Sequence, residues 1–325
     1  MRKMCAILLL GLALVLPAPS FAPSASKPRA QVQALKVTIL STMLADQGIG
    51  EWGFAALVEA DGRRILFDTG ARPRTVLENA SELKIDLSGI TEVILSHNHD
   101  DHTGGLLTLR QELMKKNPSA LSRVHVGDGI FLSRPRQDKG EGNPMVAIRR
   151  AYEGTGGTFI VHAKPAEIAP GVWLTGPVPR VHPERNWSDQ GQLKLANGDV
   201  VEDTIPDDMS LVFDTAQGVV LLSGCGHAGV VNTVDYARKF LNGAPLHAAL
   251  GGFHLFPADD KALAWTSEQL RKAGIAYLIG AHCTGVEAVY RIREQAKLDR
   301  RRCIVGAVGA SFTLGKGIDP LDVAR

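Results

Sequence analysis

Three of the chain's ten histidines and two aspartates fall within six positions of the stretch "VILSHNHDDHTGGL", residues 93–106. His97, His99, Asp101 and His102 spell H-x-H-x-D-H directly after a short apolar run. A tight turn leaving a buried strand splays such side chains into one space. Imidazole and carboxylate together suit zinc and similar first-row divalent cations. Asp100 falls off the pattern and is expected to cap the turn or support a ligand from behind. Four ligands so close in sequence cannot close two metal sites alone, so further donors must arrive from elsewhere. The bland alternative is a solvated polar turn, and the apolar "VILS" in front of it argues against that.

Three later histidines sit in glycine-rich turns after apolar strands, where such donors would be expected. They are His227 in "VVLLSGCGHAGVVNT", His254 in "AALGGFHLF" and His282 in "YLIGAHCTG". Glycine permits the sharp turns and close backbone approach that a site of this kind needs. His125, His162, His182 and His247 lack this setting and are expected on the surface or in the core. Arg180, after the "TGPVP" turn, is a candidate for binding an anionic substrate, with an ordinary surface arginine as the alternative.

The elements that must position these residues begin strand-rich. "LKVTIL" has a strand pattern, "FAALVEADGRRILFDTG" is expected to be a hairpin turning at Asp61-Gly62, and "EVILS" is a short buried strand ending where the cluster begins. Leu106, Leu109 and Leu113 recur at helical spacing, with Asn117-Pro118 as the stop. Residues 133–158 are rich in Gly, Pro and charge and are expected to be an insertion or flap rather than core. "VWLTG" and "SLVFDTAQGVVLLSG" return to strand. Helices at 230–241, 259–273 and 286–297 then alternate with strands near 246–250, at "IAYLIG" and at "CIVGAVGASF". Asp259 and Asp260 suit the N-cap of the second of these helices, and Gly274 suits its C-terminal turn. Strands first, then β/α alternation, suggests two sheets with helices outside.

At 325 residues, with 45% hydrophobic and 22% charged, the chain has ample length for a full core. The N-terminus has the form of an export signal, which implies a periplasmic or secreted protein. Arg2 and Lys3 precede an apolar run from Ala6 to Leu16, followed by "PAPSFAPSAS". The signal is assigned to 1–22 with cleavage between 20 and 26, then a disordered lead-in to residue 35, then one domain over 36–325. The apolar run is shorter than the roughly 20 residues a spanning helix needs, so no membrane anchor is expected. Loss of Arg2 and Lys3 brings the basic count down to the acidic count of 34, which gives no basis for a nucleic-acid surface. Cys225, Cys283 and Cys303 remain, an odd number that excludes a fully paired disulfide scaffold.

The H-x-H-x-D-H pattern after a strand, preceded by "LFDTG", resembles the metallo-β-lactamase superfamily. More narrowly, "PDDMSLVFDTAQGVVLLSGCGHAGVVNT", "GGFHL" and "GAHCTG" resemble its dihydropterin-ribofuranosylaminobenzene phosphate synthase-like branch, over residues 36 to 314. The resemblance implies a four-layer αββα sandwich of mixed α+β and α/β character, with a metal site at one edge of its two sheets. It implies one metal at His97, His99 and His227 and a second at Asp101, His102 and His282. Cys225 stands where other members place a bridging carboxylate, and is either a thiolate ligand or a small buried residue. His254 is expected to contact substrate or donate a proton rather than bind metal. Asp68 is expected to orient a histidine or stabilise its turn.

Two zinc ions per chain suit these donors, with manganese and iron left open. Together they would acidify a water lodged between them, giving a hydroxide that attacks a carbonyl or phosphoryl centre of a small-molecule substrate, with Asp101 and His254 as the catalytic candidates. Pterin assembly is cytoplasmic chemistry, so an exported chain points to a hydrolase instead. The alternatives are a pterin-type synthase, as in the branch, or a non-catalytic exported protein binding metal or a ligand.

Overall fold

Alternation with period two decides the architecture. Along Leu35–Ser41, Ala55–Ala60 and Arg63–Phe67, one face carries Val37, Ile39, Ala56, Val58, Ile65 and Phe67, and the other carries Leu40, Ala55, Leu57 and Leu66. Both sets are buried, so these strands need cover on both sides. The strands Leu211–Thr215, Gly218–Ser223 and Leu246–Gly251 repeat the pattern. Phe213, Leu222 and Leu250 join the first set, while Val212, Leu221 and Ala249 face away. The first faces of both groups meet in one core between two sheets. The outward faces are covered by helices, giving the αββα sandwich.

The computed structural model describes residues 29–136, 140–188 and 190–324. The leader assigned to 1–22 and its cleavage region lie outside the described residues. The eight-stranded sheet runs Gly317–Asp319, Ser311–Thr313, Leu35–Ser41, Ala55–Ala60, Arg63–Phe67, Glu92–Ile94, Arg123–Gly127, Thr158–His162. The seven-stranded sheet runs Ala166–Ala169, Val172–Leu174, Leu211–Thr215, Gly218–Ser223, Leu246–Gly251, Tyr277–Gly280, Cys303–Val305. Each begins antiparallel and becomes parallel at its fifth or fourth strand respectively. In the parallel halves the strand ends are level: Phe67 lies beside Ile94, and Ser223 beside Gly251 beside Gly280. Open sheets of this kind hold ligands beyond the carboxyl ends of their strands.

Several local expectations match. Asp61 (φ 47°) and Gly62 (φ 81°) make the tight turn of the first hairpin. Val230–Phe240, Asp260–Ala273 and Val286–Gln295 are helices, with Asp259 accepting from the Ala262 N–H at 2.8 Å and Gly274 left-handed at φ 98°. The helix Leu106–Leu113 ends short of Asn117-Pro118.

Three expectations are corrected. Residues 144–153 are no flap: Pro144–Glu153 is a helix that buries Met145 and Tyr152 against the eight-stranded sheet. Asn143-Pro144 has loop composition, but Asn143 caps the helix by accepting from the Met145 N–H, and Pro144 takes the first helical position. "CIVGAVGASF" is not one strand. It breaks at Gly306 and Gly309, so that Cys303–Val305 ends one sheet while Ser311–Thr313 joins the other. The lead-in is ordered from Arg29 onward, because Arg29 pairs with Asp214 and Val32 is buried in the core between the sheets.

Phe213 lies wholly buried in that core. Phe213→Ala is expected to lower unfolding free energy by about 3–5 kcal/mol, measured by urea denaturation, and a loss under about 1 kcal/mol would contradict this packing.

Candidate metal centre

Loops leaving the level strand ends bring the chemistry together. Asp68 follows Phe67 and adopts φ 55°, a left-handed conformation for a residue with a side chain, which turns its carboxylate inward. It accepts from the Ser96 N–H at 2.7 Å, the Ser96 hydroxyl at 2.8 Å and His102 Nδ1 at 2.7 Å. Those contacts fix two tautomers. A carboxylate only accepts, so His102 carries hydrogen on Nδ1. The Ser96 proton is given to Asp68, so Ser96 Oγ accepts from His97 Nδ1 at 2.9 Å. His227 Nδ1 donates to the Asn186 carbonyl, which fixes a third.

The Nε2 lone pairs of His97 and His227 consequently face one another at 3.2 Å with no hydrogen between them. Burial, reinforced by neighbouring imidazoles, pushes His97 and His99 well below the ordinary imidazole range. Burial likewise brings His227 down to about 4. Neutral imidazoles with lone pairs converging in a buried space repel unless a cation lies among them. His97, His99 and His227 have ligand atoms all within 4.8 Å of one another, and so do Asp101, His102 and His282. In the second group His282 Nε2 is 3.3 Å from Asp101 and His102 Nε2 is 3.7 Å from it. Neither ring nitrogen of His282 has a hydrogen-bond partner although both are buried. These donors fit divalent cations.

The two groups differ electrostatically. Burial opposes charge on His102, but the Asp101 and Asp68 carboxylates outweigh it and lift this imidazole to about 9. Burial also opposes ionisation of Asp101, but His102 and His282 hold its carboxyl well below its usual range. A proton is therefore favoured on His102 and disfavoured on His97 and His99.

Cys225 is buried with Sγ 3.2 Å from His102 Nε2, and its sulfur also groups with His97. Sequence reasoning missed Cys283, whose Sγ lies 3.2 Å from that of Cys225; its one signal was adjacency to His282. Burial raises both thiols. Cys225 stays well above its ordinary value, while Cys283, bonded to Cys225 and lying near His254, is brought below its own. Ser96, Asn186 and Asp208 were also missed. Asp208 accepts from the Ala228 N–H at 3.1 Å and supports the turn after His227. None of these partners has a spacing signal, since each acts across more than one element.

His254 packs its ring 4.7 Å from that of His227 at the edge of the site. Asp100 neither caps nor supports a ligand through any contact: it is exposed at the first position of the helix Asp100–Thr103, because its neighbour Asp101 takes the inward face. Arg180 is half-buried rather than on the surface, donating to the carbonyls of Thr204 and Ile205 and lying 5.1 Å over the Trp187 ring. His125, His162 and Glu92 form a hydrogen-bonded chain on the eight-stranded sheet, and His182 pairs with Asp235.

Beside His99 a groove of about 1100 Å³ is lined by Arg134, Arg136 and Arg185 together with Glu202 and Asp203. Arg134 is neutralised there by Asp203 and Asp207. On the other side, Trp52 and Phe256 pack edge to face with half of each side chain exposed, and Trp52 lies 4.9 Å from the His282 ring. No helix among the described residues is long and apolar enough to cross a membrane.

The sequence profile of the metallo-β-lactamase superfamily matches residues 53–282. The 7,8-dihydropterin-6-methyl-4-(β-D-ribofuranosyl)-aminobenzene-5′-phosphate synthase of Methanocaldococcus jannaschii is 30% identical over 288 residues, which span 86% of this chain and 97% of that protein. The crystal structure of a metal-dependent hydrolase of the β-lactamase superfamily has a TM-score of 0.66 at 25% identity, covering 90% of this chain and 100% of that one. Zinc-bound PqqB from Methylobacterium extorquens shares the fold, with a TM-score of 0.50 at 15% identity over 85% of this chain and 99% of its own. With the profile spanning most of the chain and a relative at 30% identity along nearly its whole length, this protein belongs to the metallo-β-lactamase superfamily.

Proposed function

We propose that this protein is an exported metal-dependent hydrolase acting on a carbonyl or phosphoryl centre of a small substrate. The observation that carries the reading is the pair of Nε2 lone pairs of His97 and His227 facing each other at 3.2 Å, each held in that tautomer from behind. We assign His97, His99 and His227 to one cation and Asp101, His102 and His282 to another, with zinc as the favoured metal for imidazole and carboxylate donors. When bound, such cations acidify coordinated water and polarise the oxygen under attack. The protein's part is to keep His97, His99 and His227 unprotonated, fix the direction of all the donors and exclude bulk water. Asp101, open on one side, is the carboxylate positioned to take a proton from water, and His254 at the rim is positioned to give one to the leaving group. Arg136 suits an anionic substrate group, Arg185 being paired with Glu202, while the exposed faces of Trp52 and Phe256 suit an apolar or aromatic one.

A second reading is a pterin-type synthase. It is favoured by the identity to the M. jannaschii relative and by an aromatic pair able to flank a planar ring beside His282. Export favours the hydrolase. The mature protein is expected to be recovered outside the cytoplasm with its N-terminus between residues 20 and 26; an intact Met1 there would remove the argument from compartment.

A panel of esters, lactones, phosphodiesters and β-lactams is expected to yield turnover that chelator abolishes and zinc restores. His97→Ala and His102→Ala are each expected to lower that turnover at least ~100-fold. Absence of turnover across the panel in the wild type sinks the hydrolase reading, and formation of the dihydropterin–aminobenzene product would support the second.

The electrostatic contrast between the two groups predicts an order of metal loss. A proton on His102, whose pKa is raised to about 9, competes with the cation held there at neutral pH, weakening it by roughly tenfold per unit below that value. His97 and His99 are lowered and His227 falls to about 4, so protons do not compete at the first group until acid pH. Dialysis at stepped pH followed by elemental analysis is expected to remove one equivalent before the other, and loss of both in one step contradicts the assignment.

A further inference from the structure

The pair of sulfurs behind the histidine cluster goes beyond the hydrolase reading. Cys225, Cys283 and His254 present two sulfurs and a ring nitrogen within 4.8 Å of one another. All three leave the level ends of neighbouring parallel strands, Gly218–Ser223, Leu246–Gly251 and Tyr277–Gly280. The arrangement is held from several sides. His254 adopts φ 47°, a left-handed conformation that turns its ring toward the site, and its backbone N–H donates to Cys283 Sγ at 3.2 Å. Gly252 must be glycine: a Cβ there would lie 1.9 Å from the Gly224 carbonyl and 3.0 Å from Cys283 Sγ. His254 Nδ1 is buried and has no hydrogen-bond partner. The sulfurs, at 3.2 Å, are too far apart for the roughly 2.05 Å of a disulfide. Tetrahedral bonds of about 2.3 Å from one ion would hold two sulfurs a little under 4 Å apart, which needs only a small opening of this pair.

We infer that Cys225, Cys283 and His254 form a further, thiophilic cation site that shares Cys225 with the histidine cluster. Two thiolates and an imidazole select zinc, cadmium or another soft or borderline ion over magnesium, calcium or manganese. Binding exchanges the two thiol protons for the cation, with no change of oxidation state. Cys225 then links this ion to the space between His97 and His102, with which its sulfur also groups. The departure from a bridging carboxylate at this position is thereby matched by a compensating donor, Cys283, in the turn after Tyr277–Gly280, two strands away in the sheet.

The test uses the full mature chain, reduced, stripped of metal and titrated with cobalt and then cadmium. A thiolate-to-metal charge-transfer band is expected in both titrations, and cadmium is expected to reach one equivalent more in the wild type than in Cys283→Ser. The band is expected to fall by about half in Cys283→Ser and to be unchanged in Cys303→Ser, whose thiol is buried elsewhere under the helix Val286–Gln295. X-ray absorption of the zinc-loaded wild type, which needs no variant to fold, is expected to detect two sulfur neighbours on one ion. Absence of sulfur scattering, or a band that Cys283→Ser leaves untouched, overturns the site. These results read sulfur ligation alone, and the substrate panel reads hydrolysis separately.

Discussion

The carboxylate of Asp68 is the constraint on which the site depends. It is wholly buried and accepts three hydrogen bonds, from the Ser96 N–H, the Ser96 hydroxyl and His102, while its own N–H is bonded to the Ile94 carbonyl. A buried carboxylate is tolerated only where its oxygens are satisfied in this way. One group thus ties the end of Arg63–Phe67 to the loop after Glu92–Ile94 and to the helix that begins at Asp100. The opposite sheet comes in at the same point. A Cβ on Gly224 would lie 2.1 Å from Ser96 Oγ and 2.6 Å from an Asp68 oxygen, so only glycine lets the strand carrying Cys225 and His227 approach. The two sheets meet at an oxygen that also decides which nitrogen of His97 and His102 is free.

That economy follows from the topology. Both sheets pass from antiparallel to parallel, and the parallel half of each ends level at the same edge of the sandwich. Loops there need no long excursions: Asp68 lies one residue past its strand, Cys225 two past Ser223, and His282 two past Gly280. Donors on such short tethers are held by the sheets themselves, which suits a site in which like groups are forced together. The cost shows in the backbone, where Asp68, His254 and His282 all have positive φ.

Much of this was legible because the ligand-bearing turns have local signatures. H-x-H-x-D-H after an apolar strand, and histidines in glycine-rich turns at 227, 254 and 282, can be found without knowing any pairing. The period-two burial that makes the sandwich is local too. What escaped was relational. Ser96 and Cys283 are ordinary in sequence, and they gain meaning only beside Asp68 and Cys225, which follow other strands. Asn186 acts through its carbonyl, which no side-chain pattern betrays. The helix Pro144–Glu153 was hidden because Asn-Pro and charge suggest a loop, although the same two residues make a good helix start once Met145 and Tyr152 have a core to enter.

The break at Gly306 and Gly309 sends the last strands from one sheet to the other. Ser311–Thr313 pairs with Leu35–Ser41, so the first strand of the domain takes as its neighbour one of the last to be made. Contacts this distant in sequence are slow to form, because a large loop must close before they are rewarded. During synthesis the strand Leu35–Ser41 can pair early with Ala55–Ala60, but its other edge stays open until Ser311–Thr313 has been made. The fold is closed like a clasp by Ser311–Thr313, and a chain cut after Ala310 would retain every donor yet leave a bare strand edge as an invitation to aggregate.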